Sequence, residues 1–128
     1  MKTSYFSNIK NLEVPLSISQ GPPKWYEGPE FKPLAPPWEL VRKAHAGLSE
    51  ADYEAEYRRL VLDHFDPREL YDAIIEEHGP NVVLLCFEKL ATPGEYCHRR
   101  MVAKWFEENL KVEVPEWTKP AAKSTLTF

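Results

Sequence analysis

The clearest hydrophobic feature of the chain is the run VVLLCF at 82–87, which is apolar throughout. Strands of a parallel sheet that is covered on both faces have this pattern, so the run predicts a central parallel strand. Shorter segments at 4–9 (SYFSNI) and 16–19 (LSIS) predict two further strands. The alternating KVEV segment at 111–114 ends at Pro115, which predicts an edge strand.

Two helices are predicted between these strands. The first follows Ser49, a favourable N-cap residue, and its apolar residues recur at helical spacing through Phe65. The second follows Asp66, has Pro67 in its first turn and is predicted to end at Gly79.

A third helix is predicted after the central strand. Thr92 and Glu95 have the spacing of a capping box, so the helix is expected to begin near Thr92. Its apolar stripe consists of Met101, Val102, Trp105 and Phe106. At about 100° per residue, His98 falls at the centre of this stripe and should point toward the sheet, with Cys97 and Arg99 on its flanks. Arg100 should point away from the sheet, as a solvated or surface-paired charge.

Strands and helices interleave along the chain, with a helix-length connection before each later strand. This order predicts a small single-domain α/β protein with a mainly parallel sheet flanked by helices, a Rossmann-like arrangement. Residues 1–117 form the expected domain, and the aperiodic tail 118–128 is expected to be mobile. The length of 128 residues suits one hydrophobic core.

Composition and charge exclude several function classes. A hydrophobic content of 43% with 28% charged residues is typical of a folded globule. The net charge of −4 disfavours binding to duplex DNA, because neutralising phosphates requires a basic face. No apolar run approaches the roughly 20 residues of a membrane span, and no signal peptide is indicated. Two cysteines do not make a secreted disulfide scaffold, so we expect a cytoplasmic protein.

Chemically active side chains concentrate directly after the central strand. Glu88 lies just past the strand end, and Cys97, His98 and Arg99 lie in the helix that follows. Because ligands of open parallel sheets bind beyond the carboxyl ends of the strands, we predict a site here. Glu88 and His98 are the expected catalytic or orienting groups, Cys97 should line the site, and Arg99 should engage an anionic part of the ligand. The alternative stays open that His98 only holds strand and helix together through a backbone carbonyl or Glu88.

Residues after the first two strands are expected to complete the site. The predicted floor consists of Ser7, Asn8, Ser19 and Gln20. The segment 21–40 that follows holds six prolines and four aromatic residues. Proline reduces the entropy lost when a loop is ordered, so Trp25 or Tyr26 is expected to form a wall on which a planar group stacks. Two alternatives stay open: the aromatic residues cap the sheet end, or the PxxP motif at 33–36 binds a protein partner.

The two cysteines do not predict a metal site. Cys86 and Cys97 are eleven residues apart with one neighbouring histidine, whereas structural zinc sites usually use four ligands in close pairs. Cys86 is most simply a buried strand residue. Neither cysteine begins a C-x5-R loop, so a cysteine phosphatase is not indicated. We therefore expect neither a metal nor another cofactor.

The segments CFEK at 86–89, CHRR at 97–100 and VAKWF at 102–106 resemble the signature of the DUF488 family. Members of that family carry C-x-E-K followed, after a short loop, by C-H-R. Further similar blocks are FSNIKNL, ISQGPPKWYEGPEFKPLAPPWEL and DYEAEYRRLVL. The resemblance implies an α/β fold and no established reaction. Gln20 stands where many members carry an arginine, so the resemblance does not supply that anion contact here.

These features together predict a pocket protein that binds a nucleotide, a nucleoside or a nucleic-acid base, whether or not it hydrolyses or transfers it. The alternative is a non-enzymatic module that binds a protein or sequesters a ligand through its proline-rich aromatic loop. The sequence does not indicate the oligomeric state.

Overall fold

A computed structural model of the chain describes residues 1–87 and 96–119. Three predictions fall on other residues: the role of Glu88, the capping box formed by Thr92 and Glu95, and most of the tail at 118–128. Within the described ranges, no helix is both long and apolar enough to cross a lipid bilayer.

Three parallel strands form one sheet with the order β1–β3–β2. The strands are β1 (Lys2–Tyr5), β2 (Val14–Ser17) and β3 (Val82–Cys86). Every residue of β3 is buried, which confirms the central strand predicted from its apolar run. Since all three strands run in the same direction, their carboxyl ends meet at one edge of the sheet, where ligands of such folds bind.

Four α-helices accompany the sheet in the described part of the chain. They are α1 (Trp38–His45), α2 (Glu50–Leu60), α3 (Pro67–His78) and α4 (His98–Leu110). Short 3-10 helices span Phe6–Asn11, Lys32–Leu34 and Leu62–His64. The α/β class predicted from the order of the elements is therefore confirmed.

The caps of α2 and α3 follow their sequence signals. The Ser49 side chain accepts a hydrogen bond from the backbone N–H of Asp52, and the Asp66 side chain accepts one from Glu69. Each bond satisfies a backbone donor that has no partner within the helix. Gly79 ends α3 with φ of 91°, a backbone conformation that is energetically unfavourable for any residue with a Cβ atom.

Several element boundaries differ from prediction. The strand predicted at 4–9 ends at Tyr5, because the chain then turns into a 3-10 helix that buries Phe6. The strand predicted at 16–19 starts earlier, at Val14, and ends at Ser17. Helix α4 begins at His98 rather than near Thr92. Helix α1 was not predicted, because a proline-rich segment leads into it.

The prediction of an edge strand at 111–114 is wrong. Lys111 adopts the left-handed conformation that ends α4, with φ of 57°, so the chain turns before it can extend. The chain then meets β1 only around Thr3, whose N–H donates to Pro115 O at 3.0 Å and whose carbonyl accepts from Trp117 N at 2.7 Å. These two bonds make a single bridge with Glu116 rather than a strand.

The two faces of the sheet are covered differently. The helices pack on one face, where Leu16, Val82 and Leu84 join the larger hydrophobic core. The stripe residues of α4 belong to the same core, and Trp105 and Phe106 are buried as predicted. The opposite face presents Val83 and Leu85 to a smaller apolar cluster that is completed by Phe6 and Tyr26.

Tyr26 attaches the proline-rich segment to this second face. Its ring packs edge-on against Phe6 with centroids 5.2 Å apart, and its hydroxyl donates to Pro29 O at 2.7 Å. Burial raises the pKa of Tyr26 to about 12, so the hydroxyl stays a donor. The ring lies so close to Gly28 that a Cβ there would be 2.7 Å from Tyr26 Cζ. The loop thus covers one face of the sheet. This role resembles the alternative stated above, in which the aromatic residues of the segment cap the end of the sheet.

Truncation of a buried tryptophan tests the assignment of the core face of α4. Trp105→Ala should lower the free energy of unfolding by about 3–5 kcal/mol, because it opens a large cavity in the core. The matched control is Trp25→Ala, which removes the same side chain where it is 55% exposed and should change stability by less than about 0.5 kcal/mol. Urea denaturation followed by circular dichroism measures both. Equal losses for the two variants would contradict the assignment.

Candidate functional site

A cavity of about 470 Å³ lies at the carboxyl edge of the sheet. Its lining comes from the residues after β2, from the end of β3, and from α1, α2 and the start of α4. The volume is within the range of small-molecule sites, about 300–1,000 Å³. The cavity therefore lies where the parallel topology places a binding site.

Aromatic side chains form much of the cavity wall. The four contributors are Trp38, Tyr53, Phe87 and Tyr96. The rings of Tyr53 and Tyr96 pack with centroids 5.1 Å apart, and the hydroxyl of Tyr96 donates to Leu48 O at 2.7 Å, which fixes that side of the wall. Trp38 and Phe87 are about half exposed, at 54% and 50%, so apolar ring surface remains available at the opening.

Polar groups in the lining are few. Ser19 and Gln20 lie in the cavity wall as predicted, and His45 contributes from the end of α1. Among the described residues that line the cavity, no lysine, arginine or carboxylate side chain is present. The described wall is therefore apolar and aromatic, with a small set of hydrogen-bonding groups.

His98 is held in one orientation by Ile18, the residue that follows β2. Its Nε2 lies 2.7 Å from Ile18 O, and because a carbonyl oxygen can only accept, Nε2 carries the proton. The ring is buried, as predicted, and packs edge-on against Tyr57 with centroids 5.5 Å apart. Burial lowers the pKa of His98 to about 4, with the Arg99 charge adding to that effect and the Ile18 hydrogen bond opposing it. The imidazole is therefore neutral at neutral pH, and Nδ1 keeps its lone pair.

The free nitrogen of His98 faces a cysteine pair. Nδ1 lies 3.8 Å from Cys97 Sγ, and Cys97 is the residue that precedes α4. The sulfurs of Cys86 and Cys97 are joined in a disulfide, and both residues line the cavity. This pairing was not predicted, because eleven residues separate the cysteines. They meet because the end of β3 and the start of α4 adjoin at the same edge.

Arg99 lies behind the cavity wall rather than in it. Its guanidinium is fully buried, and Nε and Nη2 bind the two carboxylate oxygens of Glu116 at 3.1 and 2.7 Å. Nη1 lies 3.0 Å from Cys86 Sγ, and the guanidinium carbon is 5.8 Å from the centroid of the Tyr5 ring. The group that was predicted to hold an anionic ligand is thus engaged by a carboxylate of the protein itself.

Arg100 was predicted to be solvated or surface-paired, but it takes part in the same junction. It is half-buried, and its Nη1 donates to Thr3 Oγ1 at 2.8 Å and to Val114 O at 2.9 Å. The prediction for Arg100 was wrong because it considered only which face of α4 the residue occupies. It did not include the segment after the helix, which returns to β1.

Besides Arg99, four predicted site residues lie away from the cavity lining. Ser7 is exposed, and Asn8 donates to Ser4 Oγ at 3.2 Å, because the 3-10 helix after β1 carries both toward the second sheet face. Trp25 is exposed and Tyr26 is buried on that face, so neither walls the cavity. Trp38, Tyr53, Tyr96 and Cys86 line the cavity but were not among the predicted site residues.

A family model described as the active DUF488-N3 subclade matches residues 13–110. This range includes every described residue that lines the cavity. The chain belongs to the DUF488 family, as the resemblance of its CFEK and CHRR segments predicted. Searches of curated proteins and of solved structures found no match.

Neutralising Glu116 tests the buried ion pair behind the cavity. Glu116→Gln leaves the Arg99 charge in a buried position without its carboxylate and should lower the free energy of unfolding by about 3–5 kcal/mol. The control is Glu108→Gln, which removes a partly exposed pair with Arg58 and should cost less than about 1 kcal/mol. Chemical denaturation of both variants gives the comparison. A cost for Glu116→Gln no larger than that of the control would show that the pair does not hold the junction together.

Proposed function

We propose that the protein binds a small planar heteroaromatic ligand, a nucleobase or a nucleoside, in the cavity at the carboxyl edge of the sheet. The observation that carries this proposal is the composition of the wall: four aromatic rings and a few hydrogen-bonding groups around about 470 Å³. Sites for small organic ligands combine an apolar, aromatic lining with a small number of polar groups that set orientation.

The half-exposed ring of Trp38 offers a stacking surface at the cavity opening. Aromatic side chains hold bases face to face, and each such contact is worth about 1–3 kcal/mol. The Gln20 amide and the Ser19 hydroxyl supply both donors and acceptors, which suits the mixed edge of a base. Stacking would give affinity, and these two side chains would give selectivity among bases.

The charge of the described lining favours an uncharged ligand over a phosphorylated nucleotide. A phosphate needs cationic or multiple N–H donors to replace its hydration. The described lining residues provide no lysine or arginine, and Arg99 is already bound to Glu116. We therefore narrow the predicted ligand class from nucleotides in general to bases and nucleosides.

The catalytic roles of Glu88 and His98 stay predictions, as does a cytoplasmic location. The matching family model is described as an active subclade, which is compatible with catalysis. A turnover assay on a ligand identified by binding separates an enzyme from a protein that only binds or sequesters it.

One observation favours a second function, the binding of a protein partner. Trp25 is 55% exposed on the proline-rich segment, while its neighbour Tyr26 holds that segment on the sheet. A rigid loop with an exposed tryptophan suits an interface, since tryptophan is enriched among residues that dominate binding energy. This surface is separate from the cavity, so the two functions can be tested independently.

A thermal-shift screen of bases, nucleosides and nucleotides, followed by calorimetric titration, tests the proposal. A ligand at 100 times its dissociation constant should stabilise the fold by about 2.7 kcal/mol. Trp38→Ala should weaken that ligand by about 1–3 kcal/mol, or roughly 5–150-fold, because it removes the stacking surface. Trp25→Ala removes an equally exposed tryptophan away from the cavity and should leave the affinity unchanged.

Three outcomes would count against the cavity as the binding site. They are a screen without any stabilising base or nucleoside, binding that is lost in Trp25→Ala but kept in Trp38→Ala, and a preference for the phosphorylated member of each pair. A partner protein recovered by pull-down with the wild type and lost with Trp25→Ala would favour the second function.

A further inference from the structure

We propose that in the reduced protein Cys86, Cys97 and His98 form a three-ligand site for a thiolate-preferring divalent cation such as Zn²⁺, with a fourth coordination position that faces the cavity. The proposal concerns the cation alone and does not depend on which organic ligand the cavity binds. The sequence predicted no metal site, because the spacing of the cysteines is not that of a structural zinc motif.

The three ligand atoms are already close together in a buried setting. The two Sγ atoms and a ring nitrogen of His98 all lie within 4.8 Å of one another, and all three residues are buried. Tetrahedral bonds of about 2.3 Å to sulfur and about 2.0–2.1 Å to nitrogen place those two atoms about 3.6 Å apart. The separation between Cys97 Sγ and His98 Nδ1 is 3.8 Å, so this pair needs almost no movement to share a cation.

The orientation of His98 is that of a metal ligand. Histidine ligands generally donate their second ring N–H to a carbonyl or carboxylate, which fixes the tautomer and aims the other nitrogen at the metal. Here Nε2–H donates to Ile18 O at 2.7 Å, and the bare Nδ1 points to the cysteine pair. The supporting hydrogen bond of a histidine ligand is therefore made by Ile18.

The cysteines have room for an ion once the disulfide is reduced. Their Cα atoms are 7.0 Å apart, slightly beyond the range of about 4.4–6.8 Å usual for disulfides, so separated sulfurs fit between the two backbones. The guanidinium of Arg99, 3.0 Å from Cys86 Sγ, can donate to a thiolate there. Hydrogen bonds of this kind to ligand sulfurs are a common support of thiolate–metal sites.

The charge balance suits the buried location. Two thiolates neutralise a divalent cation, and the Arg99 charge behind them is neutralised by Glu116. Three protein ligands with one open position are the arrangement of catalytic rather than structural zinc sites, and Cys₂His is one of the known sets. Since all three residues line the cavity, the open position faces the space in which a ligand would lie.

The disulfide and the metal site are two states of the same cysteines. A phosphine converts the disulfide to two thiols and becomes the phosphine oxide, with water supplying the oxygen and the protons. On binding, each thiol loses its proton to the buffer and its sulfur bonds to the cation, so two protons are released per ion.

The test is a Co²⁺ titration of the full chain, reduced with a phosphine and kept without oxygen. We expect one equivalent to bind, with a sulfur-to-cobalt charge-transfer band, tetrahedral ligand-field bands, and loss of both on adding Zn²⁺. X-ray absorption of the zinc form should show two sulfurs at about 2.3 Å and at least one nitrogen at about 2.0–2.1 Å.

Variants identify the ligands. Loss of a group that only supports a metal ligand usually weakens metal binding by roughly 10–100-fold. We expect at least this loss of affinity when a ligand itself is replaced, in Cys86→Ser, Cys97→Ser and His98→Gln. His64→Gln is the matched control, because His64 is exposed in the 3-10 helix Leu62–His64 and does not line the cavity, and this variant should bind as the wild type does. If a cysteine variant does not fold, protection of both wild-type thiols from alkylation by bound Zn²⁺ replaces it.

The proposal is overturned if the reduced, folded protein, with two thiols confirmed by titration, binds neither Co²⁺ nor Zn²⁺. It is also overturned if cobalt binds without a sulfur charge-transfer band, if His98→Gln binds as tightly as His64→Gln, or if Zn²⁺ leaves both thiols open to alkylation. Because the titration contains no organic ligand, failure of the nucleoside proposal does not affect it.

Discussion

A single buried guanidinium connects the parts of the chain that surround the site. Arg99 lies in the first turn of α4, binds Glu116 with two hydrogen bonds, approaches Cys86 at the end of β3 and lies over the ring of Tyr5 in β1. A buried charge of this kind is tolerated only where its partners are in place, so the segment around Glu116 must return to β1. The position of the start of α4, and with it of Cys97 and His98, depends on this contact.

The proline-rich segment solves a separate problem of a three-stranded sheet. Helices cover one face, and a sheet of this size needs a second layer to bury Val83 and Leu85 on the other. Tyr26 and Phe6 supply that layer, and rigid prolines lower the entropy cost of holding a loop there. The same segment then leads into α1, whose first residue, Trp38, belongs to the cavity. The same segment therefore covers the second sheet face through Tyr26 and leads to the cavity at the carboxyl edge through Trp38.

Local patterns were enough to predict most of the fold and a few residues of the cavity lining. The apolar run of β3 and the N-cap residues Ser49 and Asp66 report on their own surroundings, so they could be interpreted without the rest of the chain. His98 also followed from periodicity, since its burial depends only on the stripe of α4. Ser19 was placed correctly because the residues that follow a parallel strand lie at its carboxyl edge.

The remaining features depend on contacts between distant segments. Nothing near Arg99 in the sequence indicates that Glu116 will return to bind it, so a charged residue on the flank of a helix was interpreted as facing the ligand. The pairing of Cys86 with Cys97 likewise needs the geometry of the β3–α4 junction. Trp25 and Trp38 have similar proline-rich surroundings, and only the path of the loop decides which of them reaches the cavity.

The carbonyl of Ile18, just after β2, holds His98 with its Nδ1 turned to the cysteine pair, and the tautomer of this imidazole tests that arrangement most directly. Long-range ¹H–¹⁵N NMR correlation of the metal-free protein at neutral pH distinguishes the two ring nitrogens. We expect a neutral ring protonated at Nε2, because Ile18 O accepts that hydrogen bond and burial lowers the pKa of His98 to about 4. A ring protonated at Nδ1, or an imidazolium, would contradict it.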